Sequence, residues 1–514
     1  MAGARELSGT DRVVFGVAAS AVAAIVVWGL AAPDNLESVT GNMLDWLVTN
    51  MGWLFVIAAS SFVVFTLWIA ASKYGRVPLG KDGEKPEFTT VSWIAMMFSA
   101  GMGIGLMFFG VAEPLAHFVT PPPGTDGGVG TTMFHWSLHP WSIYAVMGLS
   151  IAYGTYRRGR PQLISAAFFP LLGRRSGGPI GRIIDVLAIF ATMFGTAASL
   201  GLGALQIGSG LEVIGWMGEV GTFLLVAVVA VLTLAFVASA VSGVAKGIQW
   251  LSNINMVLAL ALAVFVFVLG PTVLILNLIP STIGNYAADL ASMSARTAAS
   301  SNPETAEWLS SWTIFYWAWW ISWTPFVGMF LARISRGRTI REFVVGVILI
   351  PSLVSLLWFA VFGGAGINEQ REGIDLAGRD TTESQLFGML EHLPLFGIST
   401  VLVMVLVAIF FVSGADAASM VMGTLSQRGA LAPARWVVVF WGLLTGGVAA
   451  LILWTGGADA LNGLQTMTII AAAPFVIVMI GLCISLYRDL SRDPMILAGR
   501  QERRLSPRAV RRWS

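Results

Sequence analysis

The chain has 514 residues, 56% of them hydrophobic and only 11% charged, with a formal net charge of +2 at neutral pH. A soluble globule carries about 25% charged residues, so this chain lacks the charge to cover a water-facing surface and must be solvated largely by lipid. The small net charge gives no argument for a nucleic-acid partner, and the single cysteine, Cys483, excludes an internal disulfide and a cysteine-cluster metal site.

A helix crossing a hydrocarbon core of about 30 Å needs about 20 apolar residues. In chain order, a short tail (1–11) leads into twelve predicted spans: 12–32, 52–73, 91–118, 133–156, 182–215, 220–242, 250–277, 309–334, 342–364, 388–424, 434–456 and 463–487. The first shows no small-residue cleavage site and reads as a retained span. The fifth and tenth are long enough to tilt or to project from the bilayer. Ten-residue units of alternating polarity, the mark of a barrel, do not occur, so the fold class is an all-α membrane protein. Residues 284–300 are predicted to form an amphipathic helix on the outer surface. The arginine-rich tail, 489–514, reads as a positive-inside anchor, with contact to anionic lipid as the alternative.

With the N-terminus inside, all but three of the 30 basic residues (Arg296, Arg371 and Arg379) fall in inner segments. One missed span would invert every later loop, so the bias supports the count and puts both termini in the cytoplasm.

Two spans look interrupted. Span three contains Gly101-Met102-Gly103-Ile104-Gly105, and span eight contains Trp323-Thr324-Pro325 with Gly328 after it. Glycine costs about 1 kcal/mol and proline about 3 within a helix, and backbone freed in mid-membrane must find partners in protein, water or an ion. Interrupted spans in matching halves point to a secondary transporter built from inverted repeats. Within one domain over 12–488, two five-helix repeats (about 91–277 and 309–487) would follow two extra helices.

Span eight places four tryptophans in seven positions, Trp317, Trp319, Trp320 and Trp323. An interfacial belt is the ordinary place for tryptophan, but Trp320 lies about 16 Å down the span, near the midplane. Span four adds Trp136, Trp141 and Tyr144. Ring faces gathered there suit a quaternary ammonium, which has no N–H to donate, and each such contact is worth about 0.5–2 kcal/mol. Aromatic packing between helices is the bland alternative.

The run Gly101 to Phe108 (GMGIGLMF) with Gly110-Val111-Ala112-Glu113-Pro114, the run His135 to Trp141 (HWSLHPW) and the run Trp317 to Gly337 (WAWWISWTPFVGMFLARISRG) together resemble the betaine/choline/carnitine transporter family. The likeness covers all twelve spans. It implies a carrier rather than an enzyme, working by alternating access in the bacterial inner membrane as a homotrimer, in osmoprotection. It places an aromatic box at Trp136, Trp141, Tyr144 and Trp320, with Trp319 and Trp323 on the inward path. Gly101, Met102, Gly103 and Gly105 would lie beside the box, their backbone approaching the substrate's carboxylate. No acidic residue sits within Gly101–Gly105, so the expected cargo is a zwitterion such as glycine betaine rather than choline.

No organic cofactor is expected, and sodium is expected as the coupling ion. Thr192 and Thr196 share a face of span five, where back-bonding to helix carbonyls is also an ordinary role. The resemblance groups them with Phe326 in one sodium site, and groups main-chain oxygens around Ser99 and Met102 with Phe410 and Ser413 in another. Sodium-coupled members carry two successive hydroxyl residues in span ten, whereas here Ser413 is followed by Gly414. No arginine or lysine in the matching parts of spans five, eight or ten takes the place of an ion. A sodium-independent exchanger of carnitine-like substrates and a choline uptake carrier are the alternatives.

Glu113, Asp185 and Asp416 are intramembrane carboxylates, read as helix-end or interhelical hydrogen-bonding groups before any proton-coupling role. Arg333 reads as a cytoplasmic gate or anchor. His135 and His139 stand four apart, a zinc-compatible spacing, without an evident third ligand, so packing near the outer mouth of span four is expected. A membrane enzyme would need converging acid, base or metal groups, and a channel a polar ring along its pore.

Overall fold

The computed structural model describes residues 9–101, 103–122, 127–242, 245–298 and 303–498, and within them every regular element is helical. Helix α1 (Arg12–Ala31) starts at Asp11, whose carboxylate accepts from the amides of Val13 and Val14. Helix α2 (Pro33–Ala71) starts on a proline, which has no amide to leave unpaired. There follow α3 (Thr90–Gly101), α4 (Ile104–Val119), α5 (Gly128–Trp136), α6 (Leu138–Ala152) and the short turns α7 (Ile164–Ala167) and α8 (Phe169–Leu172). The middle of the chain is α9 (Pro179–Val213), α10 (Thr222–Ser242), α11 (Ala245–Leu269), α12 (Thr272–Ala295) and α13 (Pro303–Leu309). The remainder is α14 (Phe315–Ile334), α15 (Ile340–Arg371), α16 (Ser384–Glu391), α17 (Phe396–Ser426), α18 (Arg435–Gly456) and α19 (Ala460–Ser491).

Among the described residues eight helices are long and apolar enough to cross a membrane, or nine if α11 and α12, which meet at 109°, form one broken span. The chain is a multi-pass membrane protein. Helix α9 is buried along 78% of its most apolar stretch, whereas α1 and α10 are buried along 22% and 17%. Lipid-facing apolar helices therefore surround α9, which packs against α17, α18, α19, α14 and α4.

Several boundaries differ from the sequence reading. Span three breaks between α3 and α4, as the glycine run predicts, but span eight does not break at Trp323-Thr324-Pro325. Helix α14 runs through Pro325 because the carbonyl that this proline leaves without an amide donor, Ile321 O, accepts from Thr324 Oγ1 at 2.7 Å. The irregularity of span eight lies instead at its start, in a π-helical turn over Ser310–Ile314. Span ten starts at Phe396, not 388, because Leu395 takes a left-handed conformation (φ 62°) after α16. The surface helix expected over 284–300 begins at Thr272, directly after Gly270-Pro271, and so takes the last residues assigned to span seven.

The last turn of α19 and the residues after it are clasped to the segment after α6. Asp493 accepts from Tyr153 at 2.8 Å and from Arg157 at 2.9 Å, and Asp489 accepts from Arg160 at 2.5 Å. Burial works to raise the Asp493 carboxyl, but the Arg157 and Tyr153 hydrogen bonds outweigh it and hold it below its ordinary 3.8. The Asp493 part of the clasp therefore contributes fully above that value and is lost only as pH falls below it.

Candidate functional site

Helices α5 and α6 meet at Ser137 (φ −121°, ψ −104°). Pro140 has no N–H for the Trp136 carbonyl four residues back, and Ser137 Oγ turns back to donate to Met133 O at 2.5 Å. Span four is thus two pieces, with Trp136 on one and Trp141 and Tyr144 on the other.

These three rings and Trp319, Trp320 and Trp323 of α14 line a cavity of about 50 Å³, with Gly103 and Gly105 on its α4 side. Trp136 and Trp320 meet at 4.9 Å and 74°, Trp141 and Tyr144 at 5.3 Å and 64°, and Tyr144 and Trp320 at 6.2 Å and 72°. Trp319 stacks on Trp320 at 4.8 Å and 11°. The near-perpendicular pairs turn ring faces in different directions around one enclosed space. None of the described lining residues is acidic. A Cβ on Gly105 would stand 2.7 Å from Trp319 and 2.8 Å from Trp136, so the two indoles close over bare backbone that only glycine supplies. Trp317 is not part of this wall; it stacks on His139 at 5.1 Å.

The indole nitrogens of Trp136, Trp319 and Trp320 are each held. Trp320 Nε1 donates to His135 O at 2.9 Å and Trp319 Nε1 to Ser199 Oγ at 3.0 Å. Trp136 Nε1 donates to Glu113 Oε2 at 2.6 Å, and Tyr316 Oη donates to the same oxygen at 2.5 Å. The other Glu113 oxygen lies 2.6 Å from His135 Nδ1 and 3.4 Å from His117 Nε2, and His135 Nε2 lies 3.0 Å from Thr313 Oγ1. Glu113 is completely buried. It is therefore an interhelical hub that fixes one wall of the cavity, in line with the structural role read from sequence. The zinc-compatible pair read from spacing, His135 and His139, is not the set the fold gathers: Glu113, His117 and His135 offer ligand atoms within 4.8 Å of one another, and His139 stacks on Trp317 instead.

A second cavity of about 220 Å³ adjoins the first and shares Gly103, Ile104, Trp323 and Val327 with it. Thr196, Phe326, Phe410 and Ser413 all line it, so residues assigned to two sodium sites meet around one space. Thr192 does not line it, and its hydroxyl donates back to Ala188 O at 2.7 Å. Ser413 Oγ likewise donates to Ile409 O at 2.8 Å, while Thr196 Oγ1 has no partner among the described residues. Gly101 closes α3, but its surroundings and those of Ser99 lie outside the described residues, as does Met102 altogether. Arg333 pairs loosely with Glu87 at 3.9 Å and touches neither cavity, and Asp185 accepts from the amide and hydroxyl of Ser165 at 3.0 and 2.6 Å.

Sequence reasoning missed the break at Ser137, for which Pro140 was the available signal, and it missed Asn255, which lines the second cavity from α11. A single asparagine in an apolar helix has no spacing to betray it.

Comparison with known proteins gives the context. Residues 13–495 match the model of the betaine/carnitine/choline family transporters. The chain is 46% identical to the betaine/ectoine transporter LcoP of Corynebacterium glutamicum, covering 98% of this chain and 82% of the relative. It is 44% identical to the glycine betaine transporter OpuD of Bacillus subtilis (93% and 94% covered) and 39% identical to glycine betaine transporter 1 of Vibrio parahaemolyticus (93% and 94%). A family match over nearly the whole length, on a helical membrane fold that gathers these rings around a cavity, settles the class: the chain belongs to the betaine/carnitine/choline family of transporters.

Proposed function

We propose that the protein is a sodium-coupled symporter of a quaternary-ammonium zwitterion such as glycine betaine, moving it by alternating access. The observation that carries this reading is the cavity walled by Trp136, Trp141, Tyr144 and Trp320 with no acidic residue among its described lining. Ring faces attract a methylated onium that can donate no hydrogen bond, and they do so more strongly out of water. A cation of net charge +1 would find no counter-ion there, whereas a zwitterion brings its own. The relatives named for betaine support the same choice.

The wider reading keeps twelve spans in two inverted five-helix repeats, a homotrimer in the bacterial inner membrane, and both termini in the cytoplasm. The span pattern and the one-sided placement of basic residues support the spans, the repeats and the inside termini; the homotrimer and the inner membrane rest on the family likeness alone. Sodium would sit where Thr196, Phe326, Phe410 and Ser413 surround the second cavity. The test is uptake of labelled glycine betaine into empty proteoliposomes under an inward sodium gradient, with unlabelled betaine and choline as competitors. An exchanger would show uptake only after preloading, and choline competing ten times better than betaine would reject the zwitterion.

Gly414 allows a direct check on the ion. It lines the second cavity, and a Cβ there would meet nothing within 4 Å. Gly414→Ser should therefore fit and offer the second hydroxyl that follows Ser413 in sodium-coupled members. One added oxygen contact is worth about 1 kcal/mol, so half-saturating sodium should fall about fivefold. An unchanged sodium curve would place the ion elsewhere.

A further inference from the structure

Three residues around the second cavity carry buried polar atoms with no hydrogen-bond partner among the described residues: Thr196 Oγ1, Trp323 Nε1, and both the oxygen and the nitrogen of the Asn255 amide. All three line the same 220 Å³ space, and Asn255 is only 1% exposed. Buried polar groups are nearly always paired, so an amide with no partner at either end among the described residues, on a cavity wall, points to a ligand. The types of atom say which ligand. A sodium ion accepts only oxygen donors, so it would pair Thr196 Oγ1 and Asn255 Oδ1 but leave two N–H groups facing a cation. A carboxylate pairs those N–H groups, from Asn255 Nδ2 and Trp323 Nε1. Beside them, Phe326, Phe330 and Phe410 offer apolar ring surface to an onium head.

We propose that Asn255 heads a carboxylate-binding subsite in the cavity adjoining the aromatic cage, which receives an ammonium carboxylate in transit to or from that cage. The inference rests on the zwitterion reading above and adds a polar residue from α11 to it. The cavities share part of their walls, so the cargo can pass from one to the other while its carboxylate stays paired. Sodium at Thr196 is compatible with this, since the carboxylate needs only the N–H groups.

The experiment is sodium-driven uptake of glycine betaine and, at high concentration, of choline by Asn255→Asp and Asn255→Ser, with equilibrium binding read from tryptophan fluorescence. Asp opposes a carboxylate with like charge, so betaine uptake should fall about tenfold and the choline-to-betaine ratio should rise about tenfold. Binding at the cage should change less than about twofold, because Asn255 does not touch it. Asn255→Ser keeps one donor and should lose about threefold in betaine uptake, which keeps the test open where the Asp variant folds poorly. Betaine uptake within twofold of wild type in a folded variant overturns the proposal. So does equal loss of both substrates, or a change confined to the sodium curve. Wild-type protein that carries no betaine would overturn the zwitterion reading first, and the subsite with it.

Discussion

Glu113→Ala should abolish uptake and lower stability by about 3–5 kcal/mol, the loss seen when one member of a buried charge-assisted network is removed. The carboxylate accepts from Trp136 Nε1, Tyr316 Oη and His135 Nδ1, all fully buried or nearly so. Alanine leaves those donors facing one another in a dry interior, where each unpaired group costs about 1–3 kcal/mol. Trp136 then loses the bond that orients it over the cavity. Glu113→Gln should behave differently. Its amide oxygen can still accept from Trp136 and Tyr316, and its NH₂ can donate to His135 Nδ1 once that ring carries its proton on Nε2, facing Thr313 Oγ1. The Gln variant should therefore fold and keep measurable transport. Unfolding in denaturant and betaine uptake, measured on both variants, check this. If Ala unfolds at the wild-type denaturant concentration and transports within twofold, Glu113 does not organise the cage.

How much of this was legible beforehand follows from what each feature depends on. Spans are local in sequence, so composition and charge bias located most of them, and the glycine run marked the α3–α4 break. Span eight stays continuous where Pro325 and Gly328 point to a break, because the Thr324 hydroxyl reaches Ile321 O. Span four differs in the opposite sense: it breaks at Ser137, three residues before Pro140. The rings that line the first cavity could be named because their motifs are long, yet their mutual angles could not, since four segments set them. Glu113 and Asn255 show the limit most clearly. One is a hub joining α4, α5 and α14, and the other an amide on a cavity wall with no partner among the described residues, and both properties exist only after packing.

Trp320→Leu should weaken betaine binding by about 30-fold, because one desolvated ring face over an onium is worth up to about 2 kcal/mol. Leucine still fills much of the wall, so hydrophobic burial of the methyl groups survives, while the ring face is lost together with the Nε1 bond to His135 O. An isostere with a tert-butyl group in place of trimethylammonium, which keeps the carboxylate but loses the positive charge, makes the distinction sharp. Wild type should prefer betaine, and the variant should lose most of that preference, while Trp320→Phe, which restores a smaller face, should stay within about fivefold of wild type in affinity. Trp317→Leu supplies the control for damage to packing alone. Trp317 is 1% exposed on the same helix but stacks on His139 outside the cavity, so its loss should cost stability and leave the affinity ratio intact. If Trp320→Leu binds betaine and its tert-butyl isostere in the wild-type ratio, the rings are there to pack helices. Recognition would then have to reside in the backbone around Gly103 and Gly105.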